Sequence, residues 1–257
     1  MRKITFSILL ALLFLPFISV KAALPEIESI LIKIDENMDL NFDLTARVEL
    51  IQQKDGEGIK VYKSIYYMKD KGDLLLIIIT EPEFEKGNGY LKSGENFWLY
   101  KRNTRTFQHI NRSESISGSD AKIGNFENRK FVEMYRPVLT EDSVENIEES
   151  QLGEFPVYKF ELEARTDDVT YPKVVMWVNK DNFLPLKLEN YSLSGSLMET
   201  IYYLGYTIIE GKYFCVKSMF VDEFNKGNKT LVQIKNVSLQ EIDDFIFTKG
   251  YLESLSK

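Results

Sequence analysis

The sequence predicts a mainly β protein with a few helices, a single antiparallel domain of roughly ten or eleven strands in a sheet large enough to curl or close. Three observations carry that expectation. Residues Gly87 to Ile110 hold three short apolar runs separated by the polar turns Ser93-Gly94-Glu95-Asn96 and Arg102-Asn103-Thr104-Arg105, the pattern of a β-meander. Residues Phe42 to Leu50 alternate apolar and polar without a fault, as a strand wet on one face does. The second half repeats such runs between short turns, with no low-complexity linker or internal repeat to mark a domain boundary.

In chain order, Ile27, Ile30, Leu31, Ile34 and Met38 recur at helical spacing, and Glu28 near the start complements the helix dipole. After the Phe42 to Leu50 strand and the turn Lys54-Asp55-Gly56-Glu57-Gly58, the next strand has Ile59, Val61, Ile65 and Tyr67 on one face. Tyr62, Tyr66 and Met68 make its other face partly apolar too. Leu74 to Ile79 is a continuous apolar run, which implies burial on both faces. The Ser- and Gly-rich segment Arg112 to Asn125 reads as a mobile connection. Phe131 to Tyr135 suits a short helix before Pro137. Strands follow at Phe155 to Ala164, Tyr171 to Asn179, Leu184 to Asn190, Leu197 to Tyr206, Lys212 to Asp222 and Thr230 to Ser238. An apolar tail, Ile242 to Leu255, is expected to dock on the sheet, with one helical turn.

The N-terminus reads as a secretory signal over residues 1–22. Arg2 and Lys3 precede an apolar run from Ile8 to Ile18, and Val20-Lys21-Ala22 fits a cleavage site after Ala22. The run is too short for a spanning helix, which needs about 20 apolar residues. Residues 23–257 are expected to form one soluble domain in the periplasm. Removing residues 1–22, which carry three basic residues and no acids, takes the formal net charge from −7 to −10. That balance argues against nucleic acid as a partner held by general electrostatics.

Catalytic chemistry finds little support. His109 is the only histidine and Cys215 the only cysteine, so no typical zinc site can be assembled from them. A lone thiol makes no internal disulfide, and the apolar neighbours of Cys215 suggest a buried strand position. Ser117-Gly118-Ser119 lacks the context of a nucleophile elbow. The acidic clusters Glu81/Glu83/Glu85 and Asp167/Asp168 lack calcium-loop spacing and read as solvated turns. The expectation is a non-enzymatic protein with no metal and no cofactor. Long alternating strands of 9 to 11 residues with an unbroken lipid-facing band would mark an outer-membrane barrel, but Lys and Glu interrupt both faces of several strands here.

Apolar surface is the remaining signal. Aromatic residues make up 13% of the chain, and many lie on strands whose second face is also apolar. Such a pattern suits either a filled sandwich core or an open sheet with an apolar basin. Two blocks of sequence bear on that choice. The first is Gly87-Asn88-Gly89-Tyr90-Leu91, followed by Phe97-Trp98-Leu99-Tyr100 and a basic turn. The second is Tyr171-Pro172-Lys173-Val174-Val175-Met176-Trp177-Val178, followed by a Lys180-Asp181 turn and Leu184-Pro185-Leu186.

Together the blocks resemble the LolA-like lipoprotein-sorting family of the bacterial envelope. The resemblance implies an open half-barrel covered by helices and loops, with a basin for acyl chains between sheet and lid. It implies a carrier of lipid or acylated lipoprotein cargo, with an inner-membrane release complex and an outer-membrane acceptor as partners. The matching motifs are scaffold, so cavity-lining residues are chosen from strand alternation: Phe42, Leu44, Val48, Leu50, Ile65, Tyr67, Leu91, Phe97, Leu99, Val174 and Met176, with Ile30, Leu31 and Ile34 on the covering helix. In the resembled family a segment after the meander lies over the cavity, which makes Arg112 to Asn125 the expected gate. A non-catalytic envelope protein with a filled core is the competing expectation.

Overall fold

The computed structural model describes residues 24–255; the expected signal peptide lies outside them. Helix α1 spans Ile27–Met38 and carries the expected stripe, with Ile27, Ile30, Leu31 and Ile34 fully buried. The first half of the sheet is β1 (Leu44–Lys54), β2 (Gly58–Lys69), β3 (Leu74–Glu81), β4 (Gly89–Ser93), β5 (Asn96–Lys101) and β6 (Thr106–Ile110). A four-residue helix, α2 (Phe131–Met134), leads into β7 (Tyr135–Pro137). Strands β8 (Ile147–Leu152), β9 (Phe155–Ala164), β10 (Lys173–Asn179), β11 (Pro185–Tyr191), β12 (Leu197–Ile209), β13 (Lys212–Asp222) and β14 (Lys229–Ser238) follow, and α3 (Lys249–Ser254) closes the chain.

All fourteen strands join one open, curved antiparallel sheet in the order β6-β5-β4-β3-β2-β1-β14-β13-β12-β11-β10-β9-β7. Strand β8 lies along the same outer edge of β9 as β7, end to end with it. The pairing of β1 with β14 joins the first and last strands, so two meanders are fused at the centre of the sheet. The fourteen strands exceed the ten or eleven expected, and β7 and β8 are the two in segments where no strand was expected. Both are edge elements, and β8 offers little alternation to read because only Ile147 and Leu152 are apolar.

Two apolar layers follow from the period-2 geometry of β3. Leu75, Ile77 and Ile79 point to an inner face, where α1 packs, while Leu76 and Ile78 point to an outer face. The outer face of β3 to β5 is covered by the C-terminal tail through Ile242, Phe247 and Leu252. The tail therefore docks as expected, with a short 3-10 turn and α3 in place of a single helical turn.

The glycines of the first family-like block have a physical reason here. A Cβ on Gly89 would stand 2.5 Å from Leu252 Cδ2, and one on Gly87 would run into Arg102 Cδ. The block is the seat on which the tail and the basic turn rest, and Lys249 lies 4.3 Å over the Trp98 ring.

The segment expected to be a mobile connection is a packed cover. Ile116, Ala121 and Ile123 are fully buried on the inner face, within a run that forms two 3-10 turns, Ile116–Gly118 and Ile123–Phe126. The Ser and Gly residues serve its tight turns, and the interspersed apolar side chains anchor it.

Candidate functional site

Between α1, the cover, α2 and the sheet lies a cavity of about 270 Å³. Its sheet wall is built by Tyr66 and Met68 on β2, Leu188 on β11, Ile201 and Tyr203 on β12, Phe220 on β13 and Val232 and Ile234 on β14. Met38, Leu40, Phe126, Phe131 and Met134 close the other side. The lining is mostly apolar with a few convergent polar groups, the composition of a small-molecule pocket.

None of the residues expected to line a basin stands on this wall. Leu44, Val48, Leu50, Phe97, Val174 and Met176 face inward as expected, but they are packed into the inner core with Ile30, Leu31 and Ile34. Phe42 and Leu99 pack half-buried against the same core. The space expected for a ligand there is filled by α1 and by Ile116, Ala121 and Ile123 of the cover.

Ile65, Tyr67 and Leu91 are corrected further, because they face outward. Tyr67 and Leu91 belong to the outer layer under the tail, and Ile65 pairs with Ile78 of that layer. The inner face of β2 is instead Tyr62, Ser64, Tyr66 and Met68. A strand with apolar residues on both faces gives no register signal, and hydrogen bonding settles it: Tyr66 Oη donates to the Phe126 carbonyl at 2.9 Å, inside the protein.

The polar groups of the cavity form two clusters. In the first, Lys122 Nζ lies 2.9 Å from Glu199 Oε1 and also donates to Tyr171 Oη, while Asn190 Nδ2 donates to Glu199 Oε2 at 2.9 Å. Glu199 on β12 and Asn190 on β11 are neighbours across the sheet, and Lys122 reaches them from the cover. Burial raises the Glu199 pKa, opposed by Lys122 and Asn190. Burial works against the Lys122 cation, yet Glu199 and Tyr171 hold its pKa above the ordinary lysine value. The Tyr171 phenol is pushed up to about 12, first by burial and then by Glu199. A second, polar cavity of about 320 Å³ shares Lys122, Tyr171 and Glu199 as its wall and is otherwise lined by groups that include Lys54, Asp120, Asp222 and Phe224.

The second cluster sits where the cover begins and ends. Arg112 Nε binds Glu127 Oε2 at 3.1 Å, Lys92 Nζ stands 3.9 Å from Glu127 Oε1, and Arg112 and Arg129 both reach Asp168. Burial raises the Glu127 pKa, with Arg112 and Lys92 pulling against it. Asp168 is held down at about 2, first by the Thr166 hydroxyl and then by its two arginines.

The single histidine and cysteine carry no catalytic geometry. His109 is exposed on edge strand β6, edge-on to Trp98. Cys215 borders the cavity, where burial pushes its thiol up to about 12, far from a reactive thiolate. Among the described residues no cluster of metal ligands occurs, and no helix is long and apolar enough to cross a membrane.

Comparison with known proteins bears on this architecture. A family model described as "Uncharacterized protein" matches residues 71–254. A LolA superfamily protein from Nitrosomonas europaea superposes with a TM-score of 0.73 at 26% identity, covering 89% of this chain and all of the other. The chain belongs to the family that this model describes, and its fold is LolA-like. A domain from Vibrio parahaemolyticus described as an outer membrane lipoprotein-sorting protein superposes with a TM-score of 0.74 at 19% identity, covering 88% of this chain and 97% of its own. A DUF1329 family protein from Desulfovibrio piger gives 0.74 at 18%, with the same coverage. These last two likenesses are of fold. No curated protein matches the chain. In this LolA-like fold α1 packs on the inner face of the open sheet, and the sheet wall of the cavity is supplied by β2 and by β11 to β14.

Proposed function

We propose that the protein is a periplasmic carrier that holds lipid, or the acyl chains of a lipoprotein, in the cavity beneath α1 and the cover and moves them towards the outer membrane. Export by cleavage after Ala22, loading from an inner-membrane complex and delivery to an outer-membrane acceptor are parts of the same proposal. The observation that carries it is the apolar cavity of about 270 Å³ on a LolA-like sheet. Burial of each methylene contributes about 0.8 kcal/mol, so one partly enclosed chain is held firmly without any covalent or ionic contact. At about 270 Å³ the cavity lies just below the usual range for ligand pockets, about 300 to 1,000 Å³, which suits one chain segment better than several. The reading is of a binding protein, with no catalytic step.

A second reading is favoured by one specific observation: the basin expected under α1 is filled by side chains. On that reading the protein is a non-catalytic envelope protein whose fold presents surfaces to partners. One experiment separates the two. The protein is expressed in a bacterial envelope, purified without detergent, and its organic extract examined by mass spectrometry. The carrier reading expects a stoichiometric amphiphile. An extract without one, together with no binding of added long-chain lipid, leaves the filled-core reading.

A further inference from the structure

The quartet of half-buried Lys122 and Tyr171 with buried Asn190 and Glu199 is an expensive thing to place at the wall of an apolar cavity. Glu199 and Lys122 have side chains 4% and 18% exposed, and a buried ion pair recovers its desolvation cost only when geometry and further hydrogen bonds are good. In small-molecule pockets a few such groups fix the orientation of a mostly apolar ligand.

The charge balance limits what they can orient. Lys122 and Glu199 neutralise each other, and the Lys122 ammonium has three donors, of which Glu199 and Tyr171 take two. One donor is left for a carbonyl, and the Glu199 oxygens, each already accepting one bond, have lone pairs left for a hydroxyl. A carboxylate placed there would compete with Glu199 for the same cation and add a second negative charge in a low-dielectric site. Behind the wall, Asp120 and Asp222 add two more carboxylates against the single further cation of Lys54.

We propose that this quartet is a head-group subsite for amphiphiles whose polar end is uncharged, an ester or amide carbonyl with a neighbouring hydroxyl as in acylglycerols, and that it selects against chains ending in a carboxylate. The inference rests on the carrier reading above and adds the chemistry of the polar end.

The test compares binding of 1-monooleoylglycerol and oleate, the same chain with two ends, to the intact protein below their critical micelle concentrations. The expected result is tighter binding of the glyceride by about ten-fold or more. Replacing Glu199→Gln frees Lys122 from its carboxylate, so oleate affinity should rise and the gap should narrow, with circular dichroism confirming the fold. Equal affinities in the unaltered protein, or tighter binding of oleate, overturn the subsite and leave the carrier reading standing. Binding of neither amphiphile overturns both.

Discussion

Asp35 Oδ1 accepts the backbone N–H of Phe131 at 2.8 Å, and its second oxygen accepts that of Val132 at 2.9 Å. A carboxylate on α1 therefore caps the first turn of α2, ninety-six residues away, and ties the covering helix to a wall of the cavity. Phe131 lines that cavity, so the bond links α1 and the cavity wall directly.

The first prediction follows from the burial of that carboxylate. Burial raises the Asp35 pKa to about 6, against the two backbone bonds and Lys130, which lower it. The folded state thus binds the Asp35 proton more tightly than the unfolded chain. Its contribution to stability is full below about pH 4 and is lost as pH rises through about 6, a change of about 3 kcal/mol at most. Thermal unfolding of Asp35→Asn and the parent from pH 4 to 7 checks it. The variant should gain stability relative to the parent across that window, since the amide cannot ionise. A constant difference would sink the idea.

Leu44 and Thr45 make a matched pair for the second prediction. Leu44 is fully buried in the inner core, while Thr45 lies on the opposite face of β1. Leu44→Glu buries an uncompensated carboxylate and should cost about 3 kcal/mol or more, whereas Thr45→Glu should stay within about 1 kcal/mol. Urea unfolding measures both. A Leu44→Glu variant that keeps its stability and loses only lipid binding would return Leu44 to the wall of a basin.

Gly89 and Leu252 provide the third. The methyl of Gly89→Ala would meet Leu252 Cδ2 at 2.5 Å, and Leu252 is fully buried with nowhere to retreat. Overpacking of this kind costs about 1 to 3 kcal/mol. Adding Leu252→Ala should make the double variant less destabilised than the sum of the two single changes, as expected of side chains in contact. Additive costs would mean that the tail yields elsewhere.

These positions show which features were legible in the sequence. Several elements were: α1 spans the stripe from Ile27 to Met38, and β9 and β13 have the bounds expected of them. Register was not legible in β2, because Ile65 and Tyr67 are as apolar as Tyr66 and Met68, and the choice between faces is made by Phe126 and by a tail some 180 residues later. The place of the cavity is hidden from the sequence for the same kind of reason. Alternation identifies inward residues, but whether an inward residue touches a ligand or another side chain depends on what else reaches that face. Ile116, Ala121 and Ile123, scattered in a Ser-rich segment, gave no periodic signal that they would. Nor did the spacing of Lys122, Asn190 and Glu199 announce that they meet.

The last prediction concerns that cover. Ser117 N donates to Tyr90 Oη at 2.7 Å, Asp120 N donates to Thr230 Oγ1 at 3.0 Å, and Gln52 Nε2 donates to the Gly118 carbonyl at 2.6 Å. An exposed Ser-rich loop exchanges its amides freely, whereas a segment held by these bonds and by three buried apolar side chains should be protected. Amide hydrogen exchange followed by mass spectrometry should therefore show residues 116–126 slower than the exposed turn Arg102 to Arg105. Tyr66→Phe removes the bond to the Phe126 carbonyl and leaves that acceptor buried, so exchange around residues 123–127 should quicken by a factor corresponding to about 1 to 3 kcal/mol, with β3 and β4 unchanged. If carriage requires the cover to lift, bound long-chain lipid should alter exchange in this segment before any other. Rapid exchange here in the free protein, at the rate of the exposed turn, would mean that the cover is not held and that α1 with its Asp35 tie is what closes the cavity.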